Sequence, residues 1–188
     1  MPLKNRGNVN GIYMGRGGKN NMIPLETDRL LIREFNHDDT QLVMQYSQEA
    51  CKRKELPDEV FETFDDAVRQ IHMCMRNYAE KKYPLVYAIV LKETNVLIGD
   101  ILLCPIKEGI EIGYSIAENY QGNGYATEAI KSFVRWSKDF LNLPMVYGLA
   151  KKSNIASWRA LEKAGFTFLH EKEINFFGGV FPFKVYAQ

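Results

Sequence analysis

Cysteine is scarce in this chain. Cys51, Cys74 and Cys104 are an odd number without a C-x-x-C pair, and the three histidines share no metal-ligand spacing with them. Neither a disulfide framework nor a metal site is read from that pattern, and a reducing cytoplasm fits it best. Long hydrophobic runs are missing too. The longest apolar stretch, Tyr83 to Leu91, is interrupted only by Pro84; it falls short of the roughly 20 residues that span a bilayer and reads as a buried strand. Charge of one sign is not in excess, because 24 Lys and Arg face 23 Asp and Glu and no basic stripe collects them. Binding to nucleic acid is therefore not expected.

What is present suits one core. The 188 residues are 46% hydrophobic and 12% aromatic, within the usual range of a single domain. Residues 1–22, rich in Gly, Asn and basic side chains, carry neither an apolar signal region nor any periodicity. They are expected to be a disordered leader, either an expression remnant or an upstream-start extension, with the folded domain spanning 23–188.

Alternation from Leu25 to Phe35 predicts a first strand, and the Asn36 to Asp39 spacing predicts a capped helix running to about Ala50. A charged stretch, Cys51 to Glu62, is expected to separate it from a second helix capped at Thr63, whose apolar face carries Ala67, Ile71, Cys74 and Tyr78. Val86 to Leu91 and Val96 to Leu103 read as a hairpin, and Ile110 to Ile116 as the next strand. A glycine-rich turn then opens a helix from about Gly124 to Phe140. A strand at Val146 to Ala150, a helix capped by Ser153 and ended by Gly165, and a hairpin around Phe177-Gly178-Gly179 complete the order. The pattern indicates a mixed α/β sheet.

The turn Gln121-Gly122-Asn123-Gly124-Tyr125-Ala126 between a strand and an amphipathic helix is where an anion binds most readily: glycines admit close approach, and the first helical N–H groups face it. A glycine-eased turn without a ligand would look the same. The segment lacks the Lys-Ser/Thr of a P-loop and the third glycine of a dinucleotide fingerprint, so ATP and NAD lose their usual support.

Gln121-x-x-Gly124-x-Ala126 resembles the R/Q-x-x-G-x-G/A signature of the GNAT acetyltransferase superfamily. About 30 residues on, Asn154-Ile-Ala-Ser157-Trp-Arg-Ala-Leu161-Glu162-Lys163-Ala-Gly165-Phe166 is similar to its second motif. The opening LETDRLLIREF and the N-x-x-S serine resemble the RimJ/RimL-type branch. The resemblance implies a mixed, mostly antiparallel central sheet of about seven strands flanked by about four helices, with two splayed strands that hold CoA. It also implies acetyl-CoA as cosubstrate and no metal. The acceptor would be a primary amine, on a protein N-terminus or a small molecule, with no membrane or nucleic-acid partner and with a homodimer left open.

On this reading Gln121, Gly122, Asn123, Gly124, Tyr125 and Ala126 hold the pyrophosphate, and Tyr114 and Ile116 belong to the strand that pairs with pantetheine. Asn154 bonds the pantetheine arm, Glu111 is the general base and Ser157 gives a proton to the leaving thiolate. An alkylamine of pKa about 10 is only about 0.1% neutral at pH 7, so a base matters for it. The competing readings are a solvent-facing Glu111, and Asn154 and Ser157 acting as a helix cap. The chain departs from the family where Leu161 replaces a frequent tyrosine acid. Cys104, with no histidine near it in sequence, reads as a structural thiol. Two segments are expected to bound the acceptor groove: the acidic stretch Cys51 to Asp66, and the hairpin with Phe176, Phe177, Phe181 and Phe183. A non-catalytic acyl-CoA sensor and a nucleotide-binding regulator are the alternatives.

Overall fold

The computed structural model describes residues 23–188, so the expectation for a leader lies outside the described residues. Eight strands form one sheet in the order β1-β2-β3-β4-β5-β6-β8-β7. They are β1 (Leu25–Glu26), β2 (Leu30–Arg33), β3 (Leu85–Leu91), β4 (Val96–Ile106), β5 (Gly109–Ile116), β6 (Val146–Lys151), β7 (Thr167–Phe176) and β8 (Gly179–Ala187). Every neighbouring pair is antiparallel except β5 with β6. Five α-helices accompany the described sheet: α1 (Thr40–Ser47), α2 (Ala50–Glu55), α3 (Phe64–Glu80), α4 (Tyr125–Leu141) and α5 (Ile155–Lys163).

The sheet separates two cores. Alternation along β5 turns Ile110, Ile112 and Ile116 toward α4 and α5, where Ile130, Phe133 and Leu161 bury against them. Val86, Ala88, Leu102 and Cys104 pack on the other face with Ile71 and Cys74 of α3. Capping boxes at Asn36 and Thr63 form as their spacing predicts.

Three expectations are corrected. The first strand folds back on itself, because Thr27 Oγ1 accepts from Leu30 N at 2.8 Å and closes a turn that pairs Leu25 with Ile32. The predicted first helix is a 3-10 turn followed by the shorter α1, and the charged stretch after it is partly helical. Lys52 draws α2 onto the sheet, as described below. Asn154, not Ser153, caps α5, accepting from Ser157 N at 3.1 Å.

Candidate active site

The sheet opens between its two parallel strands. Ile110, Glu111 and Ile112 of β5 pair with Val146, Tyr147 and Gly148 of β6, and the ladder stops there while β5 runs on to Ile116 and β6 to Lys151. A cavity of about 570 Å³ fills the wedge. Its walls include Gly113 to Ile116 on one side and Leu149 to Lys151 on the other, so the open edge of β5 presents backbone groups to whatever enters.

One end of the cavity is the glycine turn. Gly122 and Gly124 have φ of 80° and 81°, left-handed values natural for glycine. A Cβ on Gly122 would meet nothing within 4 Å, so the space above it is open. Gly124 is the N-cap of α4 and offers no side-chain bond to the first helical N–H groups. Asn123 Nδ2 donates to the carbonyls of Tyr120 (3.2 Å) and Gln121 (3.1 Å), which turns those oxygens away. Gln121 Nε2 donates to Ile116 O at 2.8 Å and fastens the end of β5 to the turn. The start of α4 thus borders the cavity with no side chain capping its first N–H groups, a start that suits a phosphate.

The expected site residues converge with one exception. Gln121, Gly122, Gly124, Tyr125 and Ala126 line the cavity, as do Tyr114, Ile116 and Asn154. Asn123 is not among the lining residues; its side chain is spent on the turn. Ile116 contributes through its backbone, since its side chain is buried in the core.

Glu111 and Ser157 line the same cavity from different walls. Glu111 is 5% exposed, which rules out the solvent-facing alternative. It projects from β5 on the α3 side, while Tyr114 projects toward α5. Tyr114 Oη donates to Ser157 O at 2.7 Å and lies 3.0 Å from Ser157 Oγ. Burial pushes the Tyr114 phenol up to about 12 against the opposing hydrogen bond from Ser157, so it stays a neutral partner for that hydroxyl. Leu161 is buried over Gly148, where a Cβ would come within 2.7 Å of its Cδ2. The position of the missing tyrosine is thus a packing position. Cys104 is buried, its Sγ 3.7 Å from Pro105 O, and it does not line the cavity.

Sequence reasoning missed a buried polar cluster on the Glu111 side. Lys52 Nζ lies 2.5 Å from Glu59 Oε2 and 3.2 Å from Asp100 Oδ1. Tyr46 Oη (2.6 Å) and Ser115 Oγ (2.8 Å) donate to the same Asp100 oxygen. Burial alone would lower the Lys52 ammonium, but Asp100 and Glu59 outweigh it and raise its pKa. The one signal was Asp100 itself, a charge inside the apolar run Val96 to Leu103. Lys151, the next addition, lies 3.6 Å from Glu55 and 4.7 Å from the Phe176 ring centroid. Of the two segments expected to bound the acceptor, Cys51 to Leu56 with Glu59, and Phe176 and Phe183, reach the cavity, except that Arg53 does not; Phe177 and Phe181 are partly exposed and do not line it.

A splayed parallel pair, an uncapped glycine-rich helix start and a cavity reached by both Glu111 and Ser157 fit an acyltransferase that draws its acyl group from a CoA thioester. The comparisons agree. The family model described as "Acetyltransferase (GNAT) domain" matches residues 29–167, and the chain belongs to the GNAT acetyltransferase family. It is 32% identical over 143 residues to the uncharacterized N-acetyltransferase YnaD of Bacillus subtilis, covering 75% of this chain and 81% of that one. A GNAT-family acetyltransferase structure from Bacillus anthracis superposes with a TM-score of 0.74 at 25% identity, covering 87% of this chain and 96% of that one. The ribosomal L7/L12 α-N-protein acetyltransferase RimL, solved with coenzyme A, has a TM-score of 0.73 at 16% identity over 86% of this chain and 94% of its own. The chain is an N-acetyltransferase that uses acetyl-CoA, and the open Gly122, uncapped α4 and unpaired β5 edge fit that molecule. No described helix is long and apolar enough to cross a membrane.

Proposed function

We propose that the protein transfers acetyl to a primary amine held on the Glu111 side of the cavity, a protein N-terminal α-amine or a small-molecule amine, as in the RimJ/RimL-like branch. The observation that carries this is the placement of Glu111 and Ser157 on different walls of one cavity beside the open β5 edge. Acetyl-CoA supplies a thioester-activated acetyl group when bound. Glu111 takes the proton of the amine, directly or through water, so that the neutral nitrogen can attack. A backbone N–H of β5 near Tyr114 polarises the carbonyl oxygen, and Ser157, held by Tyr114, gives a proton to the departing sulfur.

The acceptor end is lined by Glu55, Glu59, Asp100 and Glu111, set against Lys52, Lys54 and Lys151, so both signs of charge are there to orient an acceptor. Cys51, Cys74 and Cys104 form no disulfide among the described residues, which supports action in a reducing compartment such as the cytoplasm. The test is a panel of N-terminal peptides, polyamines and aminoglycosides with acetyl-CoA, followed by thiol release. Release with at least one amine is expected. CoA binding with no release from any of them would sink the reading.

A further inference from the structure

The fold-back of the first strand has a chemical consequence at the glycine turn. Glu128 lies in the first turn of α4, the uncapped turn that borders the cavity. A carboxylate there ordinarily stabilises a helix, but it also competes with an anionic ligand for the same positive end. Here the β1–β2 turn takes the carboxylate out of that competition. Thr27 Oγ1 donates to Glu128 Oε1 at 2.6 Å and Arg29 N to the same oxygen at 3.0 Å, while Arg29 Nε donates to Oε2 at 2.7 Å.

The same guanidinium reaches the turn itself. Arg29 NH1 donates to Asn123 O at 3.0 Å, and the group lies 4.5 Å above the Tyr125 ring centroid. Asn123's side chain restrains the carbonyls of Tyr120 and Gln121, and Glu128 N binds Gly124 O at 3.1 Å. Arg29 therefore adds the Asn123 carbonyl to those held by a donor around the turn. Its side chain is 46% exposed, so packing does not account for its placement.

The geometry points to Arg29 as a positioning residue of the cofactor site, one that shields the pyrophosphate from Glu128 and keeps the Asn123 carbonyl turned away. This rests on the reading that the turn from Gln121 to Ala126 holds the pyrophosphate. Arg29 is a partner of the binding turn and touches no reacting atom.

The test is calorimetric titration of CoA into the full chain and three variants. Arg29→Gln should weaken CoA binding about tenfold or more at low salt. Adding Glu128→Gln to it should recover a substantial part of that loss, because the unshielded charge is gone. Glu128→Gln alone should bind CoA as tightly as the wild type or more so. Recovery is decisive when the urea midpoints of the variants stay together, since a merely structural Arg29 would move stability and CoA affinity in step. Wild-type affinity in Arg29→Gln, no recovery in the double variant, or weaker binding in Glu128→Gln alone would each overturn the proposal. Should Arg29→Gln fail to fold, the Glu128→Gln result still decides. A wild-type protein that fails to bind CoA would instead remove the cofactor reading.

Discussion

Glu111 can be tested separately from the cofactor. Glu111→Gln keeps size and a hydrogen-bonding oxygen but takes no proton, so kcat/KM should fall about 10² to 10⁴-fold while the Kd for CoA holds, as rate and calorimetry would show. Lys52 is a different case, because its charge holds structure. Lys52→Met would leave Asp100 and Glu59 facing each other in a buried site, a loss of about 3–5 kcal/mol by urea denaturation. The Lys52 pKa is raised on folding. Its stabilisation is therefore fully present below the unfolded value near 10.4 and fades only as pH rises through the folded one. The wild-type protein should accordingly show no loss of this contribution between pH 6 and pH 9. These residues also mark how far the sequence could be read. Glu111, Gly122, Gly124 and Ser157 sit in local patterns whose spacing carries their chemistry. Lys52 and Arg29 do not, since Asp100 lies 48 positions from Lys52 and the partners of Arg29 lie 94 to 99 positions from it, and only the fold brings them together.

At the level of elements, α5 is set by its contact with β6. Gly148 is where the two meet, and a methyl there would press on Leu161 Cδ1 and Cδ2, at 2.9 Å and 2.7 Å. Gly148→Ala should therefore cost about 1–3 kcal/mol. It should also reduce turnover, because α5 carries Asn154 and Ser157; thermal melts and initial rates would record the two effects together. Unchanged turnover would mean that the position of α5 is not critical. Long elements with one apolar face, such as α3 and α4, were legible from their periodicity. The short ones were not: α2 owes its place to the ion pair of Lys52 with Asp100, and the β1–β2 turn to Glu128. Neither tertiary contact leaves a mark on the local pattern.

Taken whole, the molecule should respond to its cofactor as a single cooperative unit. CoA at 100 times its Kd should add about 2.7 kcal/mol of stability, a rise of about 5–10 °C in Tm for a domain of this size. ATP should add much less, and an equal rise would revive the nucleotide-regulator alternative. The sheet itself is less uniform. Beyond Ile112 and Gly148, β1 to β5 on one side and β6 to β8 on the other share no ladder. Pantetheine lying along β5 would act as a missing strand, a rung of amides bridging the gap. Hydrogen exchange should report it: amides on the open edge between Gly113 and Ile116 should exchange readily in the free protein and slow when CoA is added, while those facing β4 change little. The protein would then wear its cofactor as part of its own backbone, rigid while the acetyl group is in hand and loosened once CoA departs.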